Sequence, residues 1–192
     1  MPLRVVLFIA LGVGCSSSTT RVARLGEGHL AFGPDTFVVP RPVGFVNDFA
    51  EVMDSGHETA ALAVINEVKA KSKGEIAVVT VTSLHGLYAA EAARRIGNTW
   101  GVGHAGALDD PASRTGVVIL LAPFESEYRL ELAEGASRFI SDEEADAILA
   151  EAMVPALDQY AYGEALYQTV LAVGLRFAKR FGFSLTAAQA PP

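Results

Sequence analysis

The chain contains the stretch Ile76-Ala77-Val78-Val79-Thr80-Val81-Thr82, which is rich in β-branched residues and almost entirely apolar. A strand of this composition is expected at the centre of a sheet, covered on both faces. A second apolar segment, Gly116–Ala122, has the same character. The two segments therefore predict a sheet whose central strands are buried.

Segments in which apolar residues have helical spacing precede and follow these strands. Four segments show it: residues 55–71, 87–100, 141–153 and 163–181. Ser55 and Glu58 have the spacing of a capping box at the start of the first segment. Ser141 and Glu144 repeat that spacing at the start of the third. Residues 128–133 alternate large and charged side chains, as a hairpin partner of the second strand would. The pattern predicts an α/β/α sandwich, with a small mixed central sheet flanked by helices.

The N-terminus has the features of an export signal. Arg4 precedes a short apolar run over residues 5–13, and small residues follow it. The run is too short to span a bilayer comfortably. Cys15 is the only cysteine, so it cannot form an internal disulfide, and its position resembles the lipobox of bacterial lipoproteins. We favour lipidation at Cys15 over the alternative, an ordinary signal peptide cut nearby.

Four regions follow from these patterns. Residues 1–14 are the predicted signal peptide, and residues 15–42 are a lipidated tether or linker. Residues 43–183 form the compact domain, and residues 184–192 are expected to be a frayed tail. The chain is thus predicted to be exported and anchored by lipid on the periplasmic or extracytoplasmic face of a membrane.

Composition excludes several classes of function. The 192 residues include 15 Lys and Arg against 22 Asp and Glu, a formal charge of −7. The chain has no basic stripe that would neutralise phosphates, which argues against nucleic acid as a partner.

Residues 101–106 have Gly-x-Gly-x-x-Gly spacing, but they follow a predicted helix rather than a strand, so we reject nucleotide binding. The histidines lack metal spacing and no Gly-x-Ser-x-Gly elbow is present.

Acidic residues stand at the predicted ends of several elements. They are Asp48, Asp109, Asp110 and Asp142. Loops of an α/β sheet gather at one edge, where two or three carboxylates would suit a hard cation such as Ca²⁺. The alternative is that acids in a first helical turn only stabilise the helix dipole and that loop acids are solvated. Both interpretations stay open at this point.

Several motifs together resemble the TPM domain over residues 42–183. They are Val46-Asn47-Asp48-Phe49-Ala50, Ser83-Leu84-His85-Gly86, Trp100-Gly101-Val102-Gly103, Thr115-Gly116-Val117-Val118-Ile119-Leu120, Ser141-Asp142 and residues 155–163. The resemblance implies an α/β/α sandwich displayed outside the cytoplasm. It also implies two activities seen among family members, acid phosphatase activity and Ca²⁺ binding.

Two family acids are replaced in this chain. Asp48 and Asp142 match the family's early and later aspartates. Arg114, however, stands where the family has an aspartate, and Ser137 stands where it has a glutamate. Either the loop acids Asp109 and Asp110 replace the lost charge, or Arg114 pairs with Asp142 in the place of the cation.

The resemblance suggests one pocket, in which Asp48 and Asp142 meet beside Trp100, Gly101 and Gly103, with Arg114 nearby. The sequence does not decide whether the protein is an enzyme. We favour an envelope-tethered TPM-like domain that binds an unidentified envelope protein, with a structural Ca²⁺. The alternative is a metal-assisted acid phosphatase with a degenerate acidic site. A third possibility is a packed domain whose acids only cap helices.

Overall fold

The computed structural model describes residues 37–103 and 114–187. The predicted signal segment, Cys15, Asp109 and Asp110 lie outside these residues. The main elements are β1 (Val46–Asp48), α1 (Ser55–Ser72), β2 (Glu75–Thr80), α2 (Ala89–Trp100), β3 (Gly116–Ala122), β4 (Glu127–Leu132), α3 (Asp142–Ile148), α4 (Val154–Leu157) and α5 (Tyr162–Phe181). A short 3-10 turn, Ala136–Arg138, precedes α3, and a π-helical segment, Leu149–Met153, joins α3 to α4. None of the helices in the described part of the chain is long and apolar enough to cross a membrane.

The four strands form one mixed sheet in the order β1-β2-β3-β4. The β1–β2 and β2–β3 pairs are parallel, and β3–β4 is antiparallel. This confirms the predicted α/β sandwich with a small mixed sheet. We call the end of the sheet where β1, β2 and β3 finish the carboxyl edge, and the opposite end the amino edge.

Both faces of the sheet are covered. One face packs on α1, α5 and the α3 region, and its buried residues include Val64, Ile119 and Phe177. The other face packs on α2, with Ile96 and Leu120 in the core. Burial of both faces explains why β3 is apolar at every position, since neither side of this strand reaches solvent.

Capping residues fix where the helices begin. The capping box of Ser141 and Glu144 at the start of α3 is confirmed. The box predicted for Ser55 and Glu58 is wrong, because Asp54 is the N-cap of α1. The Asp54 carboxylate accepts hydrogen bonds from the backbone N–H groups of Gly56 and His57. An aspartate one residue earlier supplies the same acceptor as the predicted serine.

The packed region extends beyond residues 43–183 at both ends. Phe37 is buried in the core on the α2 side, and Trp100 donates its indole N–H to the Pro40 carbonyl oxygen at 2.9 Å. At the other end, Leu185 is buried against the α5 side. Residues 37–42 and 184–187 are therefore held against the domain, whereas the rest of the predicted tail lies outside the described residues.

Glu67 on α1 holds the C-terminal segment in place. Its carboxylate accepts hydrogen bonds from Lys71, from the backbone and hydroxyl of Thr186, and from the backbone of Ala187. Burial alone would raise the pKa of Glu67, but these hydrogen bonds together lower it to about 2. Because the folded-state pKa lies below the ordinary value of 4.5, the ionised carboxylate stabilises the fold above that pH.

We expect Glu67→Gln to lower the free energy of unfolding by about 2 kcal/mol at neutral pH. The difference from the unaltered protein should shrink as the pH falls from 4.5 toward 2, where the wild-type carboxyl is also protonated. Urea unfolding at a series of pH values measures it. Glu151→Gln, at an exposed position, is the control and should change stability by under about 0.5 kcal/mol. A difference that does not depend on pH would contradict this account.

Candidate functional site

Asn47 and Asp48 close the turn at the carboxyl end of β1. Asn47 is fully buried; its side-chain oxygen accepts from the N–H groups of Val43 and Gly44, and its amide nitrogen donates to the carbonyls of Gly44 and Val78. Asp48 accepts from the Thr80 hydroxyl with one oxygen and from the Met53 N–H at 2.7 Å with the other. Both Asp48 oxygens are therefore engaged within the protein.

Asp142 lies at the other end of the sheet. It is the exposed first residue of α3, and two further acids follow it in the same helical turn. The chain reaches this point after β4 has run to Leu132, which pairs with Val117 near the start of β3. Glu144, in the same turn, lies 3.7 Å from the guanidinium of Arg176. Asp142 thus belongs to the amino edge, where an acid in the first turn of a helix stabilises its dipole.

The turn after α2, residues 100–103, which we call the Trp-Gly turn, also lies at the amino edge. The Gly103 N–H donates to the Glu75 carboxylate at 3.0 Å, and the turn passes over the start of β3. Trp100 lines a cavity of about 390 Å³ with Glu75 and Lys69. Arg114 pairs with Glu134 rather than with Asp142. These contacts stabilise the turn and the segment just before β1.

The structure does not bring the sequence-predicted acids together. Asp48 lies at the carboxyl edge, Asp142 at the amino edge, and Asp109 and Asp110 lie outside the described residues. Among residues 37–103 and 114–187, no group of three or more His, Cys, Asp or Glu is arranged to hold a metal ion. Asp48 and Asp142 therefore do not fit a single Ca²⁺, which prefers six to eight oxygen ligands.

A different feature lies at the carboxyl edge, and we call it the tyrosine groove. It has a volume of about 320 Å³. Its lining residues come from the β3–β4 hairpin and the α4–α5 connection: Leu121, Pro123, Ser126, Tyr128, Val154, Leu157, Asp158, Tyr160 and Tyr162. Three of the five tyrosines in the chain line this groove. The lining combines aromatic and aliphatic surface with one carboxylate.

Local sequence explains how the groove is built. Pro155 lacks the N–H that an uninterrupted helix would use, and a π-helical segment stands just before it. π-Helical turns of this kind are frequent at functional sites. After α4 the chain passes through Tyr160 with φ 58°, and Ser126 in the hairpin turn has φ 55°. Left-handed backbone at the two residues turns both connections sharply.

The loops and helix starts of the carboxyl edge carry acids but no Lys or Arg. This holds for residues 49–58, 81–88, 123–126 and 158–164, all of which the structure describes. The acids in these segments are Glu51, Asp54, Glu58, Glu125, Asp158 and Glu164. Cations gather instead near the amino edge, where α1 and α5 end with Lys69, Lys71, Lys179 and Arg180. The amino edge thus carries both signs of charge, whereas the described part of the carboxyl edge carries acids and no Lys or Arg.

His57 joins α1 to α5 beside these loops. Its ring nitrogens contact Asp54 at 2.5 Å and Glu164 at 3.0 Å. Burial alone lowers the pKa of His57, but the hydrogen bonds to the two carboxylates outweigh it and raise the pKa. The same contact with His57 lowers the pKa of Asp54. A protonated His57 thus stabilises the packing of the two helix starts.

Sequence reasoning missed the tyrosine groove. Its residues come from three separate segments, and no local spacing shows that Tyr128 meets Tyr160 and Tyr162. One signal was present: the break between two helical patterns, residues 158–162, contains two of the five tyrosines in the chain. Loops that carry several aromatic residues are candidates for binding surfaces.

Comparison with known sequences identifies a family. The sequence model of the TPM domain matches residues 46–175, about two thirds of the chain. No protein with a curated description matches the chain.

Solved structures share the fold. The N-terminal domain of a P. gingivalis protein is 22% identical, with a TM-score of 0.64 over 72% of this chain and 85% of that one. The N-terminal domain of the cg2496 protein from Corynebacterium glutamicum is 21% identical, with a TM-score of 0.55 over 82% and 95%. The BA42 protein from Bizionia argentinensis is 20% identical, with a TM-score of 0.55 over 68% and 85%. At this identity the likeness concerns the fold alone.

Proposed function

The chain belongs to the TPM domain family, and on that premise we propose that it is an envelope-tethered, non-catalytic domain that binds a protein partner at its carboxyl edge. The observation that carries this proposal is the exposure of large aromatic side chains on loops at that edge. Tyr88 is 84% exposed, Phe124 72% and Tyr160 78%. Aromatic residues, tyrosine and phenylalanine among them, are enriched in protein interfaces.

The predicted export and lipid anchor complete the proposal. A lipid on Cys15 would hold the domain at the membrane, and the segment between Cys15 and Phe37 would serve as a tether.

The phosphatase alternative is supported by no contact among the described residues. Metal-assisted phosphoryl transfer needs carboxylates that share a cation and positive charge around the phosphoryl oxygens. Asp48 and Asp142 lie at opposite edges of the sheet, and Arg114 is paired with Glu134. Neither a Ca²⁺ site nor a hydrolytic step is part of our proposal.

Capture from envelope extract tests the proposed function. The purified full chain, immobilised through its C-terminus, should retain one protein at least about tenfold above a control of unrelated acidic protein. Capture should be equal in millimolar Ca²⁺ and in EDTA, since the proposed surface uses no cation. Retention of nothing above the control would contradict the proposal. Turnover of an aryl phosphate that is lost in Asp48→Ala would instead support the phosphatase.

A further inference from the structure

We infer that the tyrosine groove receives a cationic segment of the partner, in which a Lys or Arg side chain stands next to an apolar one. This inference rests on the proposed function and names the partner's chemistry. Three observations carry it: the shape and lining of the groove, the charge of the loops around it, and the conformation of Tyr160.

The groove suits a long side chain with an apolar stem and a charged end. Its volume of about 320 Å³ lies at the lower end of small-molecule pockets and can hold one large side chain with part of its backbone. Leu121, Val154 and Leu157 supply aliphatic surface for the stem. Tyrosine rings attract a cation placed over their faces, and the guanidinium of arginine does so most often.

Charge complementarity selects the cation. Among the described residues that line the groove, Asp158 is the only charged one, and it is exposed at the α4–α5 connection. Glu125 in the neighbouring hairpin turn accepts hydrogen bonds from the Ser83 hydroxyl and the Leu84 N–H, and no Lys or Arg stands in the four described segments of the edge. An anionic segment would meet repulsion here, whereas a cationic segment would be drawn to the groove before contact.

Tyr160 is placed at some cost to folding. Its φ of 58° belongs to the left-handed region, which glycine adopts readily and a bulky residue rarely does. The ring obtains little burial in return, because it is 78% exposed. Residues held in strained backbone cluster at binding sites, where the strain is retained for function. The conformation and exposure of Tyr160 therefore indicate that its ring serves binding rather than stability.

The test selects short randomised peptides on the purified full chain and measures their affinity by fluorescence polarisation. We expect the selected peptides to be enriched in Arg or Lys beside an apolar residue. Their affinity should fall at least about tenfold in Tyr160→Gly and about threefold in Asp158→Asn. Val43→Ser is the control, because it removes an equally exposed apolar side chain that lies at the amino edge and does not line the groove.

Tyr160→Gly also separates binding from folding. Glycine relieves the left-handed backbone, so the midpoint of thermal unfolding should not fall. Lost affinity in a variant that is folded and equally stable can then be assigned to the missing ring. Selection of acidic or uncharged peptides, selection of none, or equal losses in Tyr160→Gly and Val43→Ser would each overturn the inference.

A further variant distinguishes a separate partner from a cationic stretch of this chain itself. Residues 20–26 contain Arg21 and Arg24 beside apolar residues. If the double variant Arg21→Glu/Arg24→Glu binds the peptides more tightly, this segment competes for the groove and the inference is overturned. Equal affinity in the double variant and the unaltered chain supports a separate partner.

Capture of the envelope partner separates the inference from the proposed function. If Tyr160→Gly still captures the partner in full, the inference fails while the proposed function stands. If the unaltered chain captures no partner, the proposed function fails.

Discussion

Replacing Asn47 with aspartate is expected to lower the free energy of unfolding by about 3–5 kcal/mol. The side chain is fully buried and makes four hydrogen bonds, two as acceptor and two as donor. Aspartate loses both donors, so the Gly44 and Val78 carbonyl oxygens would face a carboxylate oxygen. It also places a negative charge at a buried site where none of the hydrogen-bond partners is a cation. Urea unfolding followed by circular dichroism measures the effect.

Asp48→Asn is the matched control for that variant. Asp48 is only partly buried, and an amide oxygen keeps one of its two hydrogen bonds, so we expect a loss of about 1 kcal/mol. The order of the two effects is informative. If Asp48→Asn proves more costly than Asn47→Asp, the charge of Asp48 has a role beyond closing the turn, and the interpretation of this motif as structural is wrong.

Gly116→Ala is expected to destabilise the domain by about 3 kcal/mol or more, with a fall of roughly 10 °C in the midpoint of thermal unfolding. A Cβ on Gly116 would lie 2.3 Å from the Val102 carbonyl oxygen and 2.6 Å from the Gly103 nitrogen. These are backbone atoms, and the Gly103 N–H is held by Glu75, so the turn cannot move aside freely.

Gly44→Ala provides the comparison for Gly116→Ala. A Cβ on Gly44 would meet its nearest neighbour, the Val46 carbonyl oxygen, at 4.0 Å, which is an ordinary contact. Stability should change by less than about 0.5 kcal/mol. Equal effects of the two variants would show that the Trp-Gly turn does not press on the start of β3 as the structure indicates.

The fold is largely predictable because its signals are local. The two central strands are buried on both faces, and this forces continuous apolar runs that the sequence displays openly. The missed strand, β1, has only three residues, and two of them, Asn47 and Asp48, are polar. β1 is held by its pairing with β2 and by the side-chain hydrogen bonds of Asn47. Neither produces a periodic pattern in the sequence.

The candidate site is less predictable because it depends on the arrangement of distant segments. The sequence predicts that Asp48 and Asp142 lie close together, because each stands at the end or the start of a predicted element. The antiparallel β4 carries the chain back to the amino edge before α3 begins, which places Asp142 away from Asp48. The same hairpin brings Tyr128 into one groove with Tyr160, a proximity that no spacing in the sequence indicates.

Site-specific photo-crosslinking tests most directly whether the carboxyl edge binds the partner. A benzophenone amino acid is placed at Tyr160 or at Val43, two positions that are each 78% exposed but lie at the carboxyl and amino edges. We predict that irradiation of cells gives one adduct from position 160 and none from position 43, and that the crosslinked peptide of the partner contains Lys or Arg. An adduct from position 43 alone, or none from position 160, would contradict the account.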